Sequence, residues 1–379
     1  MRVLVWQWGR RGAGPKIAVE LAKGLNALPG QEAFLSLSSH AEIVRAETQT
    51  IQNDIPVETY TSLPGLVWRA VTGYGLVRSV VRAVRRIRPT FAICAMPGPL
   101  DLLMVFALRR VGVPVVVVVH DAQAHPGDGF PGQMVLQRLL VRSADCVVAL
   151  TQHVAKILAQ QPCMRGRSAI VAYHPPFAFD AEESVAWQPP LAHEGPMRLL
   201  VFGRLLPYKG LDLLADALTQ VKGQQVAFDC HVVGKGPDAP WLEKLAAVPG
   251  VTVENRWVPE GEIARLLAWA DVLLLPYREA SQSGVGAAAL AAGRWVLATN
   301  VGGLTEQFGR NPQARMCAPT VAGISDALTQ FILSPPPRPV IDTQTTVEDE
   351  WATMAAALLS DVSAQLGRPA VKPVPQTKS

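Results

Sequence analysis

The chain has 379 residues, 49% of them hydrophobic and 17% charged, which exceeds one ordinary domain and excludes a disordered or fibrous protein. Its net charge of +4 is uneven: residues 1–183 carry 19 basic against 13 acidic side chains, and the remainder 16 against 18. Five cysteines form no close pair, so no zinc site or disulfide framework is visible and a reducing cytosol fits best. The opening "MRVLVWQWGRRGAG" lacks the apolar core and cleavage site of a signal peptide. The longest aliphatic run, ending at Val119, is far too short to span a bilayer. The expectation is a soluble, cytoplasmic protein, or one resting on the inner face of the plasma membrane. No basic, aromatic-interleaved module points to nucleic acid.

In chain order, "VLVWQW" is an apolar strand leading into the helical "PKIAVELAKGLNAL". "AFLSLS" reads as a second strand. "VRSVVRAVRRIRP" follows, a helix with Arg78, Arg82, Arg85 and Arg86 beside Val77, Val80, Val81 and Val84. Such a helix can lie on anionic lipid, or it can be a solvated face over an ordinary core. "FAICAM", "VPVVVVVH" and "DCVVAL" are further strands, the last followed by the helical "TQHVAKILAQ". Near residue 180 the pattern breaks into a linker rich in proline and acid. A second series then alternates "RLLVFG", "AFDCHVVG", "VTVEN", "DVLLLP" and "WVLATN" with helices. After "SPPPRPV" a last helix runs through "EDEWATMAAALLSDVSAQL", and the tail reads as disordered. Strand–helix alternation in two blocks implies two Rossmann-like, doubly wound parallel sheets. Ligands of such sheets sit at the carboxyl ends of the strands, and two facing domains would make one interdomain cleft. The expected division is 1–182 for an N-terminal acceptor-side domain, with the helix 348–366 packing back on it. Residues 195–345 form a C-terminal donor domain and 367–379 the tail.

Several segments carry chemistry. "GRRGAGP" is a glycine-rich turn after the first strand, with Pro15 natural at a helix start. Its spacing is not that of a dinucleotide fingerprint, and the second strand ends in "SLSSH" without an acid for a ribose. Gly12 and Gly14 can instead leave room for a ligand. "VVVVVHDAQAHPGD" ends a buried strand on His120 and Asp121, with His125 and further acid nearby. No histidine or aspartate pair has metal-ligand spacing, so no metal site is expected. In "VFGRLLPYKGLDLLADAL" a strand ends at Gly203, and Arg204 and Lys209 can face one strand end, where two cations would stabilise a departing diphosphate. Taken alone, they read better as surface cations around a loop. In "LPYREASQSGVGAAALAAG" a strand hands over to an alanine-rich helix. Its unpaired N–H groups favour an anion, which Ser283 and Gly284 would let approach the backbone closely, although Ser281 or Ser283 can simply be the helix N-cap.

"GRLLPYKGLDLLADAL", "VVGKGP" and "WADVLLLPYREASQSGVGAAALAAGRWVLATNVGGLTE", in this order, resemble the C-terminal domain of the retaining GT-B glycosyltransferases of family four, glycosyl transferases group 1. The likeness runs from about Arg198 to Gln307. The N-terminal part resembles the family more weakly, through the glycine loop and "HDAQAHPG". The resemblance implies a nucleotide-sugar donor as substrate, with no metal and no cofactor. It implies diphosphate contacts from Arg204, Lys209 and the Ser283–Val285 backbone, with Gly203, Gly234 and Gly236 lining the nucleotide site. It also implies sugar contacts from Glu279 and from His120, with Asp121 beside it. One departure stands out: the family's second acid is replaced, since positions 287 and 288 are Ala287 and Ala288. Losing a charged hydrogen bond costs roughly 1.5–3 kcal/mol, tolerable where the diphosphate contacts remain. The expected function is a metal-independent, retaining glycosyltransferase, a hexosyltransferase of polysaccharide or glycoconjugate assembly. Its acceptor would be a glycan or a polyprenyl-diphosphate-linked glycan, which Arg10, Arg11 and the basic helix would suit at an anionic membrane surface. The alternatives are a catalytically inactive nucleotide-binding scaffold and a sugar-nucleotide 2-epimerase.

Overall fold

The computed structural model describes residues 1–45, 51–129, 132–177, 187–339 and 346–367. The first part of the expected linker, up to residue 186, and the tail from residue 368 lie outside the described residues. Two compact units are present. The first comprises Met1–Gln123, Phe130–His174 and the chain from Glu348; the second comprises Ala124–Gly129 and Pro175–Val347.

The first unit is built on a parallel sheet of β1 (Arg2–Gln7), β2 (Glu32–Leu37), β3 (Phe91–Cys94), β4 (Val115–Val119), β5 (Cys146–Ala149) and β6 (Ile170–Val171), in spatial order β2-β1-β3-β4-β5-β6. Val3 of β1 registers with Ala33 on one side and Phe91 on the other. Every residue of β3, β4 and β5 is buried, which is why these strands read as unbroken apolar runs rather than as alternations. The C-terminal helix Val347–Gln365 packs in this unit through Trp351, Met354, Ala355, Leu358 and Val362. A Cβ on Gly24 would sit 2.6 Å from the Trp351 carbonyl oxygen, so glycine lets the helix Ala13–Asn26 come this close.

The helix Gly73–Ile87 settles one choice left open by the sequence. Val77, Val80, Val84 and Ile87 are buried in the core of the first unit, while Arg78, Arg82, Arg85 and Arg86 face water. Its apolar stripe is therefore spent on the fold and is not free to enter lipid.

The second unit repeats the architecture with β7 (Met197–Phe202), β8 (Phe228–Gly234), β9 (Val251–Asn255), β10 (Val272–Leu275), β11 (Trp295–Thr299) and β12 (Ala314–Cys317). All pairings are parallel, in the order β12-β11-β10-β7-β8-β9. The chain starts at β7, adds β8 and β9 on one side, then returns to lay β10 on the other. That reversal opens a crevice at the carboxyl ends of β7 and β10. Among the described residues no helix is long and apolar enough to cross a membrane.

Candidate functional site

The crevice of the second unit is assembled from three loops. After β7 the chain passes through Gly203 and Arg204 to a short 3-10 turn, Pro207–Lys209, and enters the helix Leu211–Gly223 at Gly210. Gly210 has φ +66°, and a Cβ there would lie 1.9 Å from the Pro276 carbonyl oxygen. The turn is thereby pressed against the loop after β10, and the Arg278 N–H donates to the Tyr208 carbonyl at 2.8 Å. At the end of β8 a Cβ on Gly234 would fall 1.6 Å from the Gly203 carbonyl oxygen, and one on Gly236 2.1 Å from that of Leu205. These glycines thus have a structural duty, close approach of the β7 and β8 ends, whatever binds there.

Arg204, Lys209, Glu279, Gly284 and Val285 come together around this edge. Val285 reaches Gly203, with 3.7 Å from its methyl to a Cβ built on the glycine. The Lys209 ammonium stands 3.7 Å above the Tyr277 ring and 4.9 Å from the Tyr208 ring. Both tyrosines are buried, so their faces hold a fixed cation by quadrupole attraction. Among the described residues Lys209 makes no ion pair. Arg204 is ion-paired with Asp128, and Glu279 accepts from His125 Nδ1 at 3.0 Å. His125 also stacks on Tyr208 with ring centroids 4.6 Å apart. The short segment Ala124–Gly129 thus places one acid on the arginine and one imidazole on the glutamate.

The helix Gly284–Ala291 begins as expected, with the Ser283 hydroxyl accepting from the Gly286 N–H at 3.2 Å. One expectation is corrected here. The Ser283 N–H donates to Gln307 Oε1 at 2.9 Å, and Gln307 Nε2 returns a bond to the Ser283 carbonyl at 3.1 Å. Ser283 therefore caps and anchors, and the first-turn amides of Gly284 and Val285 are the ones left without an acceptor inside the helix. Ala287 and Ala288 are 9% and 3% exposed, and Ala288 belongs to the core cluster behind the sheet. The helix is made of small residues because it packs hard: a Cβ on Gly286 would meet the Phe308 ring at 2.5 Å.

The remaining expected residues lie in the first unit. His120 follows β4 and is buried; its Nε2–H donates to the Ala95 carbonyl at 2.9 Å, and burial lowers its pKa. Its ring meets His174 edge-on at 6.1 Å, and His174 meets Trp351 at 5.7 Å. Asp121 is half-buried and its carbonyl accepts from Gln137 Nε2 at 2.7 Å. Gly12 precedes the first helix at φ +82° with open space where a Cβ would be. Gly14 does not make room for a ligand, as expected from the sequence, but for Gln7, whose amide nitrogen would lie 2.7 Å from its Cβ. The same buried Gln7 accepts from the Gly9 N–H at 2.8 Å and so props the glycine loop from below. Beside it Asp101 is wholly enclosed. Its carboxylate accepts from Trp6 Nε1 at 3.2 Å, from the Gly98 N–H at 2.6 Å and from Cys94 Sγ at 3.3 Å. Burial outweighs these donors and pushes its pKa up to about 7.

Sequence reasoning missed Gln7, Asp128 and the role of His125 as the partner of Glu279. The only signal for the latter two was the polar "HPGD" following a buried strand, a loop of the kind that carries function on a rigid scaffold.

Comparison with known proteins fits this geometry. Residues 12–174 match the model of the glycosyl transferase 4-like domain, and residues 196–333 that of glycosyl transferases group 1. The chain belongs to this family of glycosyl transferases. A 2-deoxystreptamine glucosyltransferase of Streptomyces kanamyceticus is 27% identical over 252 residues, 61% of this chain and 64% of its own. A GDP-mannose:glycolipid 4-beta-D-mannosyltransferase of Xanthomonas campestris pv. campestris is 28% identical over 204 residues, 52% of this chain and 53% of its own. The chain thus spans between half and two thirds of the length of these curated relatives. HepE of Anabaena, solved with UDP and glucose, superposes with a TM-score of 0.66 at 17% identity, covering 97% of this chain and 99% of that one. A putative UDP-N-acetylglucosamine 2-epimerase of Listeria monocytogenes shares the fold at a TM-score of 0.59 and 13% identity, covering 99% of each chain. Both structural likenesses show the GT-B fold alone.

Proposed function

We propose that the protein transfers a hexose from a nucleoside diphosphate sugar to a glycan or polyprenyl-diphosphate-linked acceptor, with retention at the anomeric carbon and without a metal. The observation that carries this reading is the convergence of Arg204, Lys209 and the Gly284 and Val285 amides at the β7/β10 edge. Four donors, two of them cations, suit the charge that grows on a departing diphosphate. An exposed ion pair is worth about 0–1 kcal/mol, so a diphosphate with more charge and more acceptors can take Arg204 from Asp128. Glu279 then orients the sugar hydroxyls. In transfer, the bond from the anomeric carbon to the leaving phosphate oxygen breaks and a bond to the acceptor hydroxyl oxygen forms. The hydroxyl proton passes to the leaving phosphate, which serves as the base.

Family membership and the "YREASQSG" segment favour transfer over 2-epimerisation. The retained cations favour an enzyme over an inactive scaffold despite Ala287. The lipid-linked acceptor is supported by the Xanthomonas relative, whose name specifies a glycolipid; an enzyme using such an acceptor would meet it at an anionic membrane surface. The test is donor turnover by the pure protein in the presence of a chelator. Release of nucleoside diphosphate that disappears in Lys209→Ala supports the assignment, and near-normal turnover by that variant overturns it. Exchange of free sugar nucleotide without an acceptor would mark an epimerase instead.

A further inference from the structure

The first unit exposes an apolar patch that its fold does not explain. The helix Leu63–Val71 begins at Ser62, whose hydroxyl accepts from the Gly65 N–H at 3.3 Å, and ends at Thr72, whose hydroxyl bonds the Trp68 carbonyl at 2.7 Å. Both ends are therefore built. Its outer stripe is not polar, however: Val67 is 64% exposed, Trp68 68% and Val71 77%, and Tyr74 follows at 61%. Residues 67, 68 and 71 fall on one helical face. A tryptophan between two valines, all in water, is not a scattered surface residue.

A charged strip adjoins this patch. Arg78 lies over the Tyr74 ring at 5.9 Å, so the tyrosine joins the apolar patch to the basic helix Gly73–Ile87. From there Arg78, Arg82, Arg85 and Arg86 continue at spacings of four, three and one, all exposed. Tryptophan and tyrosine with an apolar body and a polar tip, bordered by arginines, match the boundary between acyl chains and anionic headgroups.

We propose that the stripe Val67–Trp68–Val71–Tyr74 inserts shallowly into an anionic lipid surface while Arg78, Arg82, Arg85 and Arg86 bind its headgroups. The charge complementarity selects this occupant, since a purely apolar protein partner would leave the arginines unused. The contact is distinct from the amphipathic insertion suggested by the sequence, because the valines of the basic helix are buried and only its arginines are available. This inference deepens the acceptor reading above and rests on it for its biological purpose, but its test does not use catalysis.

The test is sedimentation of the full chain with vesicles of phosphatidylcholine alone or mixed with phosphatidylglycerol, for the wild type, Trp68→Ser/Val71→Ser and Arg82→Gln/Arg85→Gln/Arg86→Gln. The wild type should pellet only with the anionic vesicles and be released by salt. Neutralising each arginine should weaken partitioning roughly fivefold, and the apolar double variant should weaken it roughly tenfold or more. Stabilisation by UDP or GDP should be unchanged in both variants, which shows that they are folded. Equal binding to neutral and anionic vesicles, no binding to either, or an unaltered Trp68→Ser/Val71→Ser variant overturns the proposal. So does a dimer in solution that Trp68→Ser dissolves, since the occupant is then a second copy of the chain. Vesicle binding that persists when no nucleotide stabilises the protein would strike the donor reading and leave this one standing.

Discussion

The two sheets share one architecture, yet their strand ends are furnished in opposite ways. At the β7/β10 edge the groups are charged and open: Arg204 and Glu279 reach water, and Lys209 is propped on tyrosine rings. At the carboxyl ends of β1, β3 and β4 the polar groups are enclosed, with Gln7, Asp101 and His120 each bonded to a backbone group of a neighbouring loop. Burial biases Asp101 and His120 there toward their neutral forms. The same parallel-sheet crevice thus serves two physical ends. One edge keeps charge available for an anion, and the other uses neutral hydrogen bonds to hold loop shape.

The largest effect that could break this contrast is at Lys209. Its replacement by alanine should lower donor turnover by about two to three powers of ten, the scale for one preorganised donor to developing charge, while the melting temperature stays near that of the wild type. Next come the glycines. Gly210→Ala combines positive φ with a collision against the Pro276 carbonyl and should destabilise by about 3 kcal/mol or more, read by chemical denaturation. Gly12→Ala, also at positive φ but facing open space, should cost less, about 1–3 kcal/mol. Equal losses would mean that the β7/β10 edge is not the tighter construction.

Asp101 sharpens the other side. Asp101→Ala strands the Trp6 and Gly98 donors and should cost about 1–3 kcal/mol. Its folded pKa of about 7 is raised by burial above the ordinary carboxyl value. Its contribution is therefore complete below about pH 4 and is lost as pH rises through about 7. Asp101→Asn should flatten that part of the stability profile, and a profile unchanged by the substitution would show that Asp101 is ionised in the fold. The smallest effect is at Asp128. Asp128→Asn removes the carboxylate that competes for Arg204 and should tighten nucleoside diphosphate binding by up to about fivefold, a gain that fades with salt. Weaker binding would mean that Asp128 positions Arg204 rather than shielding it.

Much of this was legible in the sequence because it is local. Ten of the strands announce themselves as short apolar runs closed by glycine, proline or a polar residue. Arg204, Lys209 and Glu279 sit in segments whose strand–loop–helix rhythm fixes their place. The failures are equally physical. β6 has two residues, and β12 is the half-buried "ARMC" in polar surroundings, so neither carries a period to read. The helix Leu63–Val71 hid behind Pro64 and Gly65, and its exposed face breaks the expectation that apolar residues point inward. The pairs Arg204–Asp128 and Glu279–His125 join positions 76 and 154 residues apart, and no local pattern encodes such a meeting. Ser283 was read as a phosphate donor because its partner Gln307 lies 24 residues on, beyond β11.

The central claim is that the β7/β10 edge binds a nucleoside diphosphate through Arg204 and Lys209. Thermal unfolding of the purified protein with UDP, GDP, dTDP and ADP in turn tests it most directly. A nucleotide present at about a hundred times its dissociation constant stabilises a protein by about 2.7 kcal/mol, a rise of a few degrees at this size. The account predicts such a rise with at least one of the four and its loss in Lys209→Ala. No rise with any of them, or one that Lys209→Ala leaves intact, would contradict it.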